Sequence, residues 1–214
     1  MTGSAKQEIL NKLRRARSRA PLEKPALCFP EERGCEAVDI QRFKDLLNQN
    51  HAEVHETTEA GLIEAIRQWL TVNDTEQGVC VSDHPALSEL KESLRGSVTL
   101  LDIAELDKTT LFNKVELSVC YAELGISDKG ALLLEASAYQ PRTLSLVPPA
   151  NILVVKKNNI TSDLESAFAS TRFLANNLPS NIILISGPSK TADIQQTLAY
   201  GAHGPKQLVV FVIS

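Results

Sequence analysis

The segment Ser186-Gly187-Pro188-Ser189-Lys190-Thr191-Ala192-Asp193-Ile194 is the strongest local feature of the chain. The residues around it predict a buried strand over Asn181–Ser186 and a helix over Thr191–Tyr200. In an open parallel sheet, ligands bind at the carboxyl ends of the strands. A helix starting there aims unpaired N–H groups and a partial positive charge at the same point, which suits phosphate or carboxylate. Gly187, Ser189, Lys190 and Thr191 are therefore candidate ligand contacts. Asp193 suits the first helical turn but would repel an anion, so it is expected to accept a ligand hydroxyl or brace the loop. The P-loop spacing is missing. The plainer alternative is a turn shaped by Gly187 and Pro188, with Ser189 or Thr191 capping the helix.

Three further groups can carry chemistry. His203 lies between glycines in Gly201-Ala202-His203-Gly204-Pro205 and is a candidate acid–base group. Its alternative is a structural donor to backbone in a tight turn. Asp128 in Ile126-Ser127-Asp128-Lys129-Gly130 is a candidate base or hydroxyl acceptor, with Lys129 able to neutralise an anion, or else a plain Asp-x-Gly turn residue. Arg142 is a candidate fork for carboxylate or phosphate, or else one half of a surface ion pair.

The elements that must position these groups alternate along the chain. Strands are predicted over 52–57, 78–82, 97–101, 116–120, 131–136, 152–156, 181–186 and 207–213, with helices at 5–19, 39–49, 59–71, after Asp83 as N-cap, from a Ser162/Glu165 capping box, and at 191–200. This alternation predicts an α/β fold: a mainly parallel sheet covered on both faces, with some antiparallel pairing within 116–156. The division expected is a basic helix and proline-containing arm over 1–38, then one α/β domain over 39–214.

Composition narrows the classes. The four cysteines, Cys28, Cys35, Cys80 and Cys120, form no Cys-x-x-Cys, so a zinc site or cuboidal cluster in this chain has little support. No segment reaches the ~20 apolar residues of a membrane helix, and the start lacks the apolar region of a signal peptide. A cytoplasmic protein with reduced thiols is expected. The net charge of -4 hides a basic start, where Lys6, Lys12, Arg14, Arg15, Arg17 and Arg19 face only Glu8. An acidic body without aromatic interleaving argues against nucleic acid.

The segments Gly187–Ile194 and Gly201–Pro205, with Pro141-Arg142 through Pro148-Pro149 and Ile152–Val155, resemble the lactate utilization protein C family, whose members carry a LUD domain. The resemblance runs from the basic helix to the last strand and is most specific in the last quarter. Where the family has an Ala-Glu-Thr-Gly turn, this chain has Ser127-Asp128-Lys129-Gly130. The resemblance implies a three-layer α/β/α Rossmann-like fold of the sugar-isomerase and CoA-transferase type. It implies a role in oxidising L-lactate to pyruvate beside iron–sulfur partner proteins, which would carry the clusters, so no cofactor or metal is expected in this chain. Two functions stay open: an accessory or ligand-binding subunit, docked through the basic helix, or a stand-alone enzyme taking a phosphate, nucleotide or CoA ester. Self-association is compatible with either.

Overall fold

The computed structural model describes residues 3–19, 37–169, 179, 181–192, 198–200 and 204–214. The chain falls into two compact units, Met1–Arg33 and Gly34–Ser214. In the first, α1 (Gly3–Arg19) carries the basic residues, and its apolar Ile9 and Leu13 are 59% and 61% exposed.

The second unit opens with α2 (Ile40–Gln49), capped by Asp39, whose carboxylate accepts from the Arg42 N–H at 2.9 Å. Then come β1 (Glu53–Thr57), α3 (Leu62–Val72), β2 (Val79–Val81), α4 (Ser88–Leu94) and α5 (Lys108–Asn113). The middle of the chain supplies β3 (Leu117–Tyr121), β4 (Leu124–Ile126), β5 (Ala131–Glu135), α6 (Arg142–Leu146), β6 (Ala150–Lys156) and β7 (Ile160–Thr161). The last part gives α7 (Leu164–Ala169), β8 (Ile182–Ile185), β9 (Lys190–Ala192), β10 (Leu198–Tyr200) and β11 (Gln207–Ile213).

The main sheet runs β1-β11-β6-β3-β2, and every neighbouring pair is parallel. Its middle strands are buried on both faces, as their unbroken apolar runs require. One face packs on α3 and α4 through Ile66, Trp69, Leu70, Leu90 and Leu94. The other packs on α2, α5 and α6 through Phe43, Leu47, Leu111 and Leu144, together with Leu132 and Leu134 of β5. β5 belongs to a second sheet, β7-β4-β5-β8, in which β4 and β8 both pair antiparallel to β5. This is the expected mixed α/β, three-layer arrangement.

Several local expectations are corrected. The strand after Asn181 is no interior strand. β8 is an edge of the second sheet, and Leu184 is 49% exposed. A run of apolar residues reads the same for a central strand and for an edge that leans on a core with one face. The helix expected over 191–200 is replaced at both ends by extended chain, β9 paired antiparallel with β10. Ile194 and Leu198 mimic helical spacing, but Thr191 and Tyr200 favour extended backbone. Residues 97–101 form no strand ladder. They lean on β2, where the Leu101 N–H donates to the Val79 carbonyl at 2.8 Å.

Two caps also differ. Asp83 pairs with Lys91 at 2.6 Å, while His84 caps a short 3₁₀ turn over Pro85–Leu87. Asp163, not Ser162, accepts the Ser166 N–H at 2.7 Å at the start of α7, and Ser162 Oγ braces the same carboxylate at 2.7 Å. That hydroxyl, with the Ser166 N–H, holds the Asp163 carboxyl below its ordinary range. Thr171 and Leu174, which continue the helical spacing of Leu164 and Ala167, lie outside the described residues.

Candidate functional site

The loop after β8 is placed by backbone contacts. A Cβ on Gly187 would lie 2.6 Å from the Asn50 carbonyl oxygen, so the loop presses directly on the end of α2. The Ser189 N–H donates to the Pro205 carbonyl at 2.8 Å, and Gly204 abuts Ser189. The Lys206 N–H in turn donates to the Pro149 carbonyl at 2.7 Å. Asn50 precedes β1, Pro205 precedes β11 and Pro149 precedes β6. The loop therefore lies at the amino edge of the main sheet, opposite the edge expected from the sequence. With β9 in place of a helix start, the expected N-terminal dipole is also missing from Thr191.

The Asp128 turn approaches the same end of α2. A Cβ on Gly130 would meet Leu46 Cβ at 2.4 Å. Asp128 Oδ2 pairs with Lys129 at 2.8 Å, and its N–H donates to the Ser162 carbonyl at 2.9 Å. Asp128 Oδ1 is buried with no hydrogen-bond partner among the described residues. Lys190 is exposed. The backbone of Thr191 lies in β9; its side chain, with Asp193 and His203, falls outside the described residues.

Arg142 stands apart from this group. It opens α6 and lines an open cleft of ≈ 460 Å³ with Ala136, Ser137, Ala138, Pro141 and Asn181. The preceding loop is tied to the carboxyl ends of β3 and β2. Gln140 Oε1 accepts from the Tyr121 N–H at 2.8 Å, and its Nε2 donates to the Tyr121 carbonyl at 2.9 Å. The Asp83 N–H donates to the Tyr139 carbonyl at 2.9 Å.

Beside this loop lies a cluster absent from the residues singled out by sequence. His84 comes just after β2 and Glu123 just after β3; His84 Nε2 is 3.0 Å from Glu123 Oε1, whose side chain is only 7% exposed. The Ala86 N–H donates to His84 Nδ1 at 3.2 Å. Nδ1 must then be an acceptor, so Nε2 carries the proton and donates to the carboxylate. The imidazole stacks on Tyr121 at 4.5 Å and 10°. Asn159, just past β6, donates to the Glu123 carbonyl at 3.2 Å and to the Tyr121 hydroxyl at 3.4 Å. These groups hold one proton in place on the carboxyl edge. The signal in the sequence is positional: polar residues just past the carboxyl end of each parallel strand, β2 and β3 included, share one edge of the sheet.

Both described cysteines are buried within the main sheet, Cys80 in β2 and Cys120 in β3. Burial pushes the Cys80 thiol up to about 12, and burial with the neighbouring Cys80 pushes Cys120 upward as well. Each stays protonated at neutral pH and offers no thiolate. Among the described residues, no helix is long and apolar enough to cross a membrane.

The LUD domain family model matches residues 40–213, from the start of α2 to the end of β11. The chain belongs to the LUD-domain family. An uncharacterized protein of Neisseria meningitidis serogroup B is 32% identical over 98% of this chain and 94% of its own length. The lactate utilization protein C of Bacillus velezensis is 26% identical over 85% of this chain and 80% of its own. A crystal structure of a DUF162 family protein from Deinococcus radiodurans shares the fold, with a TM-score of 0.63 and 22% identity over 81% of this chain and 95% of that one. In this LUD domain parts of the segments that carried the resemblance, residues 146–149, 187–190 and 204–205, meet at the amino edge. Arg142 and the His84–Glu123 pair lie with the other edge.

Proposed function

We propose that this LUD protein serves the oxidation of L-lactate to pyruvate in the cytoplasm, as an accessory or ligand-binding subunit beside iron–sulfur partner proteins. The observation that carries this reading is a family match spanning the whole folded body, with relatives named lactate utilization protein C along most of its length. Lactate oxidation releases two electrons and two protons. Iron–sulfur clusters in partners suit the electrons, and neither Cys80 nor Cys120, both buried and protonated, offers a thiolate to a cluster. The basic α1, with Ile9 and Leu13 exposed along its apolar stripe, suits docking on an acidic partner. A ligand has two candidate places, the loop at Gly187–Lys190 and the cleft at Arg142.

The test is genetic and biochemical. Deleting the gene in its host should abolish growth on L-lactate as sole carbon source, and the plasmid-borne gene should restore it. The tagged chain should co-purify with proteins containing iron and acid-labile sulfide, while carrying no stoichiometric iron or zinc when purified alone. Normal growth of the deletion strain removes the pathway reading.

A further inference from the structure

We propose that the cleft at Arg142 is the ligand site, and that it takes the carboxylate of a short-chain hydroxy or oxo acid. The claim that the acid is of this class rests on the lactate reading; the location of the site does not. Arg142 forms no ion pair among the described residues, although it lies in an acidic molecule where surface arginines readily find partners. A planar guanidinium presents paired N–H groups that match the two oxygens of one carboxylate. Asn181 and Ser137, with an amide and a hydroxyl side chain, line the same cleft. The Ser137 Oγ accepts from the Gln140 N–H at 3.1 Å, which leaves its own proton for a ligand oxygen. Ala136, Ala138 and Pro141 form the rest of the wall and suit a methyl or other short apolar group.

The cleft is held in shape before any ligand arrives. Gln140 clamps the end of β3 through two hydrogen bonds, Tyr139 holds Asp83, and the Ala136 N–H donates to the Asn181 carbonyl at 3.0 Å. A wall fixed in this way costs little ordering on binding. The charge favours a monoanion. A phosphate dianion is usually met by several cations or by a nest of backbone N–H groups. Among the described lining residues one guanidinium serves, and Glu135 at the end of β5 stands next in sequence to the cleft wall.

The experiment is titration of the full-length chain with L-lactate, pyruvate, acetate and inorganic phosphate, read by calorimetry and by the NMR signal of the Arg142 Nε–H. Lactate or pyruvate should bind saturably and shift that signal. Arg142→Gln should weaken binding about tenfold or more, and Arg142→Lys should retain part of it, because charge survives without the fork. Arg95→Gln, on the exposed surface, should bind as wild type. Matching thermal melts will show that each variant is folded. Equal binding by Arg142→Gln, or no binding of any carboxylate by the wild type, overturns the site. Tighter binding of phosphate than of every carboxylate overturns the ligand class. The growth test separates the two claims. If the deletion strain grows normally on lactate while Arg142-dependent carboxylate binding persists, the pathway falls and the site stands. If growth is lost while titrations are flat, the site falls and the pathway stands.

Discussion

Gly187 and Gly130 are held by the same stretch of helix. The first packs on Asn50 backbone and the second on Leu46, with a φ of +55° that L side chains rarely adopt. An added methyl at either site must displace α2 or the loop, because backbone at Asn50 cannot swing aside. Gly187→Ala and Gly130→Ala should each cost about 1–3 kcal/mol, read as a lower denaturation midpoint at unchanged slope. Lys91 is a second anchor. Burial disfavours its charge, but hydrogen bonds to Asp102 at 2.8 Å and Asp83 at 2.6 Å outweigh this and raise its pKa. The hydrogen bond from Lys91 lowers that of Asp102. The Asp102 contribution is thus present above the ordinary carboxylate range and is lost as pH falls through its lowered value. The Lys91 contribution is present below the ordinary lysine value and is lost as pH rises through its raised one. Lys91→Met should destabilise the fold by roughly 1 kcal/mol at neutral pH, since both carboxylates are nearly half exposed. Denaturation at a series of pH values should show the gap between variant and wild type narrowing as Asp102 becomes protonated.

At the scale of elements, α2 and α1 make opposite predictions. α2 fills the core with Phe43 and Leu47, neither of which is exposed, and its end supports the Gly130 and Gly187 turns. Phe43→Ala should therefore cost about 3–5 kcal/mol. α1 offers its apolar stripe to solvent and belongs to the separate unit Met1–Arg33. Removing residues 1–33 should leave a chain that still melts cooperatively near the wild-type temperature, and the proposed docking role of α1 requires that it retain less iron–sulfur protein in a pull-down than the full chain does. A truncated chain without a cooperative transition would mean that α1 contributes to the core. The contrast is legible in the sequence: Phe43 and Leu47 recur among other apolar residues at helical spacing, whereas the stripe on α1 is narrow and surrounded by charge.

For the whole molecule, the buried thiols give a direct check of the packing. In a chain carrying Cys28→Ser and Cys35→Ser, native protein at pH 8 should react negligibly with a thiol reagent, and both remaining thiols should react on unfolding. Cys80 and Cys120 lie in the doubly covered sheet, and their raised pKa values leave almost no thiolate. Rapid native reaction would show that β2 and β3 open readily.

Sequence alone determined the repeating strand–helix pattern, the mainly parallel sheet, and the closing strand Gln207–Ile213 with its buried run, because periodicity and continuous apolar burial are local properties of the chain. It also determined the family, since Pro141–Pro149 and Gly187–Ile194 carry their resemblance residue by residue. Tertiary structure decided the rest. Whether Ile182–Ile185 is an interior strand or an edge depends on which sheet receives it, and that is a contact between segments far apart in sequence. The same pairing turned the 187–190 loop toward the amino edge, away from Arg142. His84 and Glu123 are separated by the whole of α4, α5 and β3, so nothing in their spacing announces the 3.0 Å contact. Parallel strands place residues far apart in sequence at one edge. Local patterning fixes which segments are strands, and the order in which the strands assemble fixes which side chains meet.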